Sequence, residues 1–412
     1  MPLSSSPADR APDRAARRAP RRAAADRCPG AARLTQAADG YLARIRLPGG
    51  LVSAARLRTL ARLAAELGDG RAELTARGNI QLRGLAADAG DRLTSALADA
   101  GLLPSLRHDR VRNIVASPLA GLDGPAGRDL TALVRALDAA LCARPRLAEL
   151  SGRFLFAIDD GRGDVAGLGA DVVATVRPDG TVVNGLVTAE ADAVDVMLAC
   201  AAAFLDLNDE GTAWRIADLP AGAGRVRAAV AARLGLSPAP VPPVPPPSAV
   251  ASAVSRPAGL VRYREEGMGG ETEGRVRGNG AGSAVVLLAP LGRLTGDQLT
   301  WLADQSARPA RITPWRSVVL PGLTDAAATL RAAAARGFGV DAASPWLRVT
   351  ACAGRPGCAH ALADVQADAL SFGARWPARI VHVSGCARHC GRPAATEIDV
   401  TATSEGYQVA EV

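Results

Sequence analysis

Four of the seven cysteines in this 412-residue chain fall in two short runs, TACAGRPGCAHAL (350–362) and VHVSGCARHCGRP (381–393). Cys352 and Cys358 stand at C-x5-C, Cys386 and Cys390 at C-x3-C, with 27 residues between the pairs. The fold must bring two loops that are distant in sequence to one place. Zinc knuckles favour C-x2-C pairs, which wrap tightly around one small ion. Loops of five and three residues suit a larger group whose corners each need a thiolate, a [4Fe–4S] cluster. Structural zinc is the alternative. His389, between the last two cysteines, is expected to be a neighbour of the metal group rather than a ligand.

Cysteine usage fits a reducing compartment, where clustered thiols bind metal more often than they pair. Cys142 and Cys200 lie in apolar helical patterns and are expected in the core. Cys28, in RCPG, has no role legible in the sequence. No secretory h-region and no run of 18 apolar residues is present, so a cytoplasmic protein without a membrane partner is expected. The formal charge is +7, and with no lysine in the chain all 48 basic residues are arginines. Codon usage is reason enough, but any anion bound here must meet guanidinium forks, which pair bidentately with carboxylates. Seven arginines against three aspartates in residues 1–27 read as a solvated basic tail rather than a nucleic-acid arm, and no nucleic acid is expected as partner.

From Tyr41 the patterns become regular. YLARIRL alternates as a strand, and PGG breaks it. Leu57, Leu60, Ala64 and Leu67 recur at helical spacing and Gly68 stops them. AELT and NIQLRGL read as strands, and Asp91 as the cap of a helix through Ala100. This β-α-β-β-α order predicts a ferredoxin-like half-domain over 28–104. A second α+β lobe follows over 105–235: the helix RDLTALVRALDAAL, the strand RFLFAID, a hairpin turning at Pro178-Asp179-Gly180, and the helix EADAVDVMLACAAAFLDL. Seven prolines in residues 238–247 mark an extended linker, set at 236–258.

After the linker the plan repeats. TARGNIQLRGL (75–85) aligns with TPWRSVVLPGL (313–323). At a constant offset of 226, Arg153-Phe154 falls on Arg379-Ile380 and Asp179-Gly180 on Glu405-Gly406. One fold is written twice, as a second half-domain at 259–340 and an iron–sulfur lobe at 341–412. Such pairs close about a pseudo-two-fold axis with a site between the halves. Cys386 and Cys390 fall in the loop that carries Asp160 and Asp164 in the first half, so the thiols belong to one half only.

The C-x5-C and C-x3-C signature resembles that of the sulfite and nitrite reductase superfamily. TARGNIQLRG is similar to that family's Thr-x-Arg-x-x-x-Gln segment, and RVRNIVASP (110–118) to its Arg-Asn segment. The resemblance covers roughly residues 28–412. It implies an α+β fold in which two ferredoxin-like half-domains and two larger α+β lobes are arranged with pseudo-two-fold symmetry. It also implies Cys352, Cys358, Cys386 and Cys390 as cluster ligands, and Arg77, Arg83, Arg112 and Arg153 as substrate-binding residues. The reductases carry Lys-x-Lys where this chain has Arg153 and Leu155, so one cation is missing. RCPG, DGYLARIRLPGG and GRFLFAIDDG are more similar to the family of precorrin-3B synthases in aerobic cobalamin synthesis. That resemblance implies an oxidoreductase, a monooxygenase that takes precorrin-3A and O2, hydroxylates C20 and forms a lactone. It implies a [4Fe–4S] cluster, a mononuclear non-haem iron, and an electron donor such as a ferredoxin or an NAD(P)H-linked reductase. No two-His-one-carboxylate pattern stands out among His108, His360, His382 and His389, and the catalytic residues are not legible. The alternatives are a sirohaem-dependent nitrite or sulfite reductase and a non-enzymatic nucleic-acid-binding protein.

Overall fold

The computed structural model describes residues 26, 28–122, 128–177, 180–208, 211–238, 258–264, 281–393 and 395–412. The expected tail and linker lie almost wholly outside the described residues, as does Asp179. The first half-domain runs β1 (Thr35–Ala37), β2 (Gly40–Ile45), β3 (Leu51–Val52), α1 (Ala54–Leu67), β4 (Arg71–Leu74), β5 (Ile80–Leu85) and α2 (Ala89–Asp99). Ser53 caps α1, its hydroxyl accepting from the Arg56 amide, and Leu57, Leu60, Leu63 and Ala64 bury one face. Each buried leucine contributes about 2 kcal/mol by leaving water. Asp91 is not the cap of α2. The helix begins two residues earlier, and Asp91 lies in its first turn, where the helix dipole still favours a carboxylate.

The first lobe comprises β6 (Ile114–Ala116), α3 (Thr131–Cys142), β7 (Phe156–Asp159), β8 (Val172–Arg177), β9 (Gly180–Val183), β10 (Leu186–Thr188), α4 (Ala193–Leu207) and α5 (Gly222–Leu234). The second half-domain has β11 (Gly259–Arg264), β12 (Ala281–Leu288), β13 (Arg293–Thr295), α6 (Gly296–Gln305), β14 (Ala310–Ile312), β15 (Ser317–Pro321) and α7 (Ala326–Ala334). The second lobe has β16 (Val349–Ala351), α8 (Val365–Arg375), β17 (Val381–Ser384), β18 (Ile398–Thr403) and β19 (Gly406–Glu411). Among the described residues, no helix is long and apolar enough to cross a membrane.

The half-domains exchange strands. One sheet has the order β1-β2-β5-β4-β13 and the other β11-β12-β15-β14-β3, so each takes its last strand from the opposite half. Helices α1 and α6 pack together, and one apolar core runs through both sheets. Gly50 (φ 70°) makes the crossing at β3 possible: a Cβ there would lie 2.0 Å from the Ile312 carbonyl oxygen of β14.

The lobes repeat one another down to single hydrogen bonds. In each, three parallel strands (β6-β7-β8, β16-β17-β18) are followed by an antiparallel one. The Leu155 carbonyl accepts from the Asp171 and Val172 amides, as the Ile380 carbonyl accepts from those of Glu397 and Ile398. The carboxylates of Asp171 and Glu397 accept the Leu155 and Ile380 amides in return. Leu155 therefore corresponds to Ile380, an offset of 225, whereas the hairpin that closes at Gly180 and Gly406 keeps 226. This corrects the constant offset: Phe154, not Arg153, matches Arg379. The loop carrying Cys386 and Cys390 is one residue longer than its counterpart.

Candidate metal centre and arginine basin

Parallel strands point their carboxyl ends to one edge, where loops from neighbouring strands meet. Cys352 immediately follows β16, and Cys386 follows β17 after Gly385. The Gly385 amide donates to Cys352 Sγ at 3.1 Å, and the Leu362 amide donates to the Gly385 carbonyl at 2.8 Å, tying the loops together. Burial pushes the Cys390 thiol up, and Cys352, Cys386 and Cys358 push it further, so the four thiols share one neighbourhood. Such mutual repulsion suits a metal group that takes all four as thiolates.

Two kinds of metal group could take a four-thiol donor set. Zinc at about 2.3 Å from each sulfur needs sulfurs about 3.8 Å apart. Among the described residues, the potential ligands whose atoms gather within 4.8 Å of one another are Asp159, Asp160 and Asp164, not the thiols. A four-iron cluster takes its four thiolates at separate corners and does not need them that close. The three aspartates have partners of their own: Asp159 accepts backbone amides, Asp160 pairs with Arg162, and Asp164 accepts from Ser117.

The structure divides the arginines into two kinds. Arg112 forms a bidentate pair with Asp138, both bonds 2.7 Å, and also donates to the Leu102 carbonyl. Arg83 pairs bidentately with Asp39, both bonds 2.9 Å, and donates to the Gly357 carbonyl. Burial alone would lower the pKa of each, but the carboxylates outweigh it and raise both. In this structure the forks of Arg83 and Arg112 are engaged by internal acceptors.

Arg44, Arg46 and Arg77 differ. Arg46 is 2 % exposed, and its Nε and Nη1 have no hydrogen-bond partner. Burial pushes its pKa down to about 9, with neighbouring Arg44 and then Arg77 adding to the effect. Arg44 Nη2 donates to Gln81 at 3.0 Å while its Nε has no partner. Arg77 donates to the Gly152 carbonyl at 3.4 Å and is likewise lowered by burial and then by Arg215. Cys28 lies against this basin, within hydrogen-bonding reach of Arg153, whose guanidinium stacks 4.7 Å from the Trp214 ring centroid. Buried cations in surplus over carboxylates are costly unless an anion completes them. Leu155 is 2 % exposed in a small apolar cluster with Val115, Ala157 and Val165, so it offers nothing to an anion.

Arg316 was missed by sequence reasoning. In the repeat it stands where the first half has Gly78, and the turns match: the Gly78 and Arg316 amides donate to Thr75 and Thr313 carbonyls, both at 3.1 Å. Arg316 accepts the left-handed conformation (φ 60°) that Gly78 (φ 63°) adopts freely, at a cost of about 1 kcal/mol. Its guanidinium, lowered by burial, reaches within 3.9 Å of the position a Cβ on Gly391 would take. An arginine at a repeat position that demands glycine was the available signal.

The histidines separate. His108 is buried between Ser105 and the Arg144 carbonyl, and His360 is exposed. His382 sits opposite Asp399 across β17 and β18, with Thr350 on Nδ1 and no partner on Nε2. Burial pushes its pKa down to about 4. His389 Nδ1 is 2.9 Å from the same Asp399, close enough for an ion pair though not aligned as a hydrogen bond.

Residues 34–100 match the family model described as the nitrite/sulfite reductase ferredoxin-like half domain. With the strand-exchanged halves and paired lobes, this gives the chain the duplicated fold of the sulfite and nitrite reductases. The structure of the Mycobacterium tuberculosis NirA protein superimposes with a TM-score of 0.68 at 21% identity, covering 90% of this chain and 73% of that one. Precorrin-3B synthase from Sinorhizobium sp is 28% identical over 399 residues, covering 92% of this chain and 81% of that protein. Ferredoxin–nitrite reductase from Synechococcus elongatus is 26% identical over 405 residues, covering 87% and 75%. The relatives are enzymes, and this chain shares their scaffold.

Proposed function

We propose that this protein is a precorrin-3B synthase-like monooxygenase, acting on precorrin-3A with O2 in aerobic cobalamin synthesis. The observation that carries this reading is the basin of buried, under-neutralised arginines, Arg44, Arg46 and Arg77, in a scaffold whose other half gathers four thiols. A tetrapyrrole substrate bears many carboxylates, and a guanidinium with no carboxylate hydrogen-bonded to it offers one of them a charge-assisted fork. Arg153, stacked on Trp214, and Arg316, at the matching turn of the second half, extend the set. Enclosing the macrocycle among these residues excludes water from its edge and fixes which face it presents. A [4Fe–4S] cluster held by Cys352, Cys358, Cys386 and Cys390 would supply electrons one at a time. Hydroxylation with one atom of O2 reduces the other to water. That consumes two electrons, drawn from a ferredoxin or an NAD(P)H-linked reductase.

A sirohaem-dependent nitrite reductase is the second reading, supported by the relative from Synechococcus elongatus. Buried Leu155 counts against it, because an anion bound there loses a cation. The test is to supply anaerobically reconstituted protein with precorrin-3A, reductant and O2, then follow the product by mass. Gain of one oxygen atom supports the monooxygenase. Nitrite reduction by protein carrying a resident macrocycle supports the reductase.

A further inference from the structure

The loop between Cys352 and Cys358 is held from the opposite half of the molecule. Arg83, on β5 of the first half-domain, donates from Nη2 to the Gly357 carbonyl at 2.6 Å. The same guanidinium is locked by Asp39 at the tip of the β1–β2 hairpin. Glu73 stands behind it, 4.0 Å from Arg83 Nε and 3.7 Å from Arg293 Nε, and accepts from Gln81 at 3.0 Å. Arg293 in turn hydrogen-bonds Gln366, which donates to the Cys352 carbonyl at 3.2 Å. Both ends of the loop thus rest on one acid–arginine belt rooted in the first half-domain. Contact at Gly357 is close: a Cβ there would lie 2.9 Å from Arg83 Nη2.

We propose that Arg83, oriented by Asp39, is a positioning residue for the 352–358 loop and sets the reduction potential of the cluster held there. Two physical effects support this. A bidentate, nearly buried guanidinium is a fixed donor, so the carbonyl next to Cys358 cannot swing and the thiol keeps its aim. A cation next to the loop also favours the more negative, reduced state of the cluster, and net charge and surrounding polarity set iron–sulfur potentials. The proposal rests on the cluster reading of the four thiols. That reading is tested separately by iron and labile sulfide in the parent protein.

The experiment is an EPR-monitored redox titration of reconstituted parent, R83Q, R83K and D39N proteins, with tetrapyrrole affinity measured on the same samples. R83Q leaves Asp39 unopposed, so its midpoint potential becomes more negative. At the poise where the parent is half reduced, R83Q holds several-fold less reduced cluster. R83K lies between, and D39N shifts the other way. If R83Q assembles no cluster, R83K and D39N carry the test, and parent-like potentials in both overturn the proposal. It is equally overturned if R83Q keeps the parent's potential and EPR spectrum while tetrapyrrole affinity falls tenfold, because Arg83 would then be a substrate ligand.

Discussion

Ser117 and Cys352 occupy the same place in the two lobes. Each directly follows the last residue of a parallel strand, and each side chain accepts a backbone amide from the neighbouring loop, Asp160 N–H at 3.2 Å and Gly385 N–H at 3.1 Å. In one lobe the acceptor is a hydroxyl that also donates to Asp164. In the other it is a thiol facing three more. The four-thiol site is thus a local chemical change on a doubled scaffold.

Cys390→Ser should lose the cluster and the activity together, because a cubane held by three thiolates is readily stripped. Iron, labile sulfide and turnover measured on one preparation check this. An active, cluster-free variant would contradict the metal assignment.

Arg46→Met should gain thermal stability while losing tetrapyrrole affinity. Its buried cation has two unpartnered nitrogens, and exchange for an apolar side chain of similar length removes a charge that Asp109 offsets only in part. We expect about 1 kcal/mol or more of stabilisation and roughly 10- to 100-fold weaker binding, the worth of one or two charged hydrogen bonds. Chemical denaturation and fluorescence titration read the two effects. Arg77→Ala should weaken binding without the stabilisation.

Arg112→Ala should do the opposite. It strands Asp138 and the Leu102 carbonyl, costing about 3 kcal/mol of stability, while folded molecules bind the tetrapyrrole as the parent does. Weaker binding at full folding would return Arg112 to the substrate site.

Asp164 gives a pH dependence. Burial pushes its pKa up to about 7, partly opposed by the Ser117 hydrogen bond. The native state therefore holds a proton that the unfolded chain releases near pH 4. Stability from this group is full below about pH 4 and falls as pH rises to about 7. Asp164→Asn should remove that slope and be the more stable protein at pH 8, as urea denaturation across the pH range would show.

The doubling and the two cysteine loops were legible in the sequence because both leave marks at fixed spacing: helix and strand periods, the 313–323 echo of 75–85, and C-x5-C with C-x3-C. The exchange of β3 and β13 was not. Two- and three-residue strands carry no period, and only the Gly50 approach to Ile312 explains the crossing. The arginines were half legible. In a chain whose only base is arginine, a motif marks position but cannot show whether Asp39 or Asp138 has already taken the fork. Arg46 looked like any strand residue until its burial without a partner was visible.

The most direct test of the account is an absorption spectrum of protein purified under argon, with iron and acid-labile sulfide assayed on the same sample. The account predicts a broad brown absorption, about four irons and four sulfides per chain, and no sharp macrocycle bands. Soret-like and red bands over the cluster would mean resident sirohaem and a reductase. Zinc without sulfide would contradict the cluster itself.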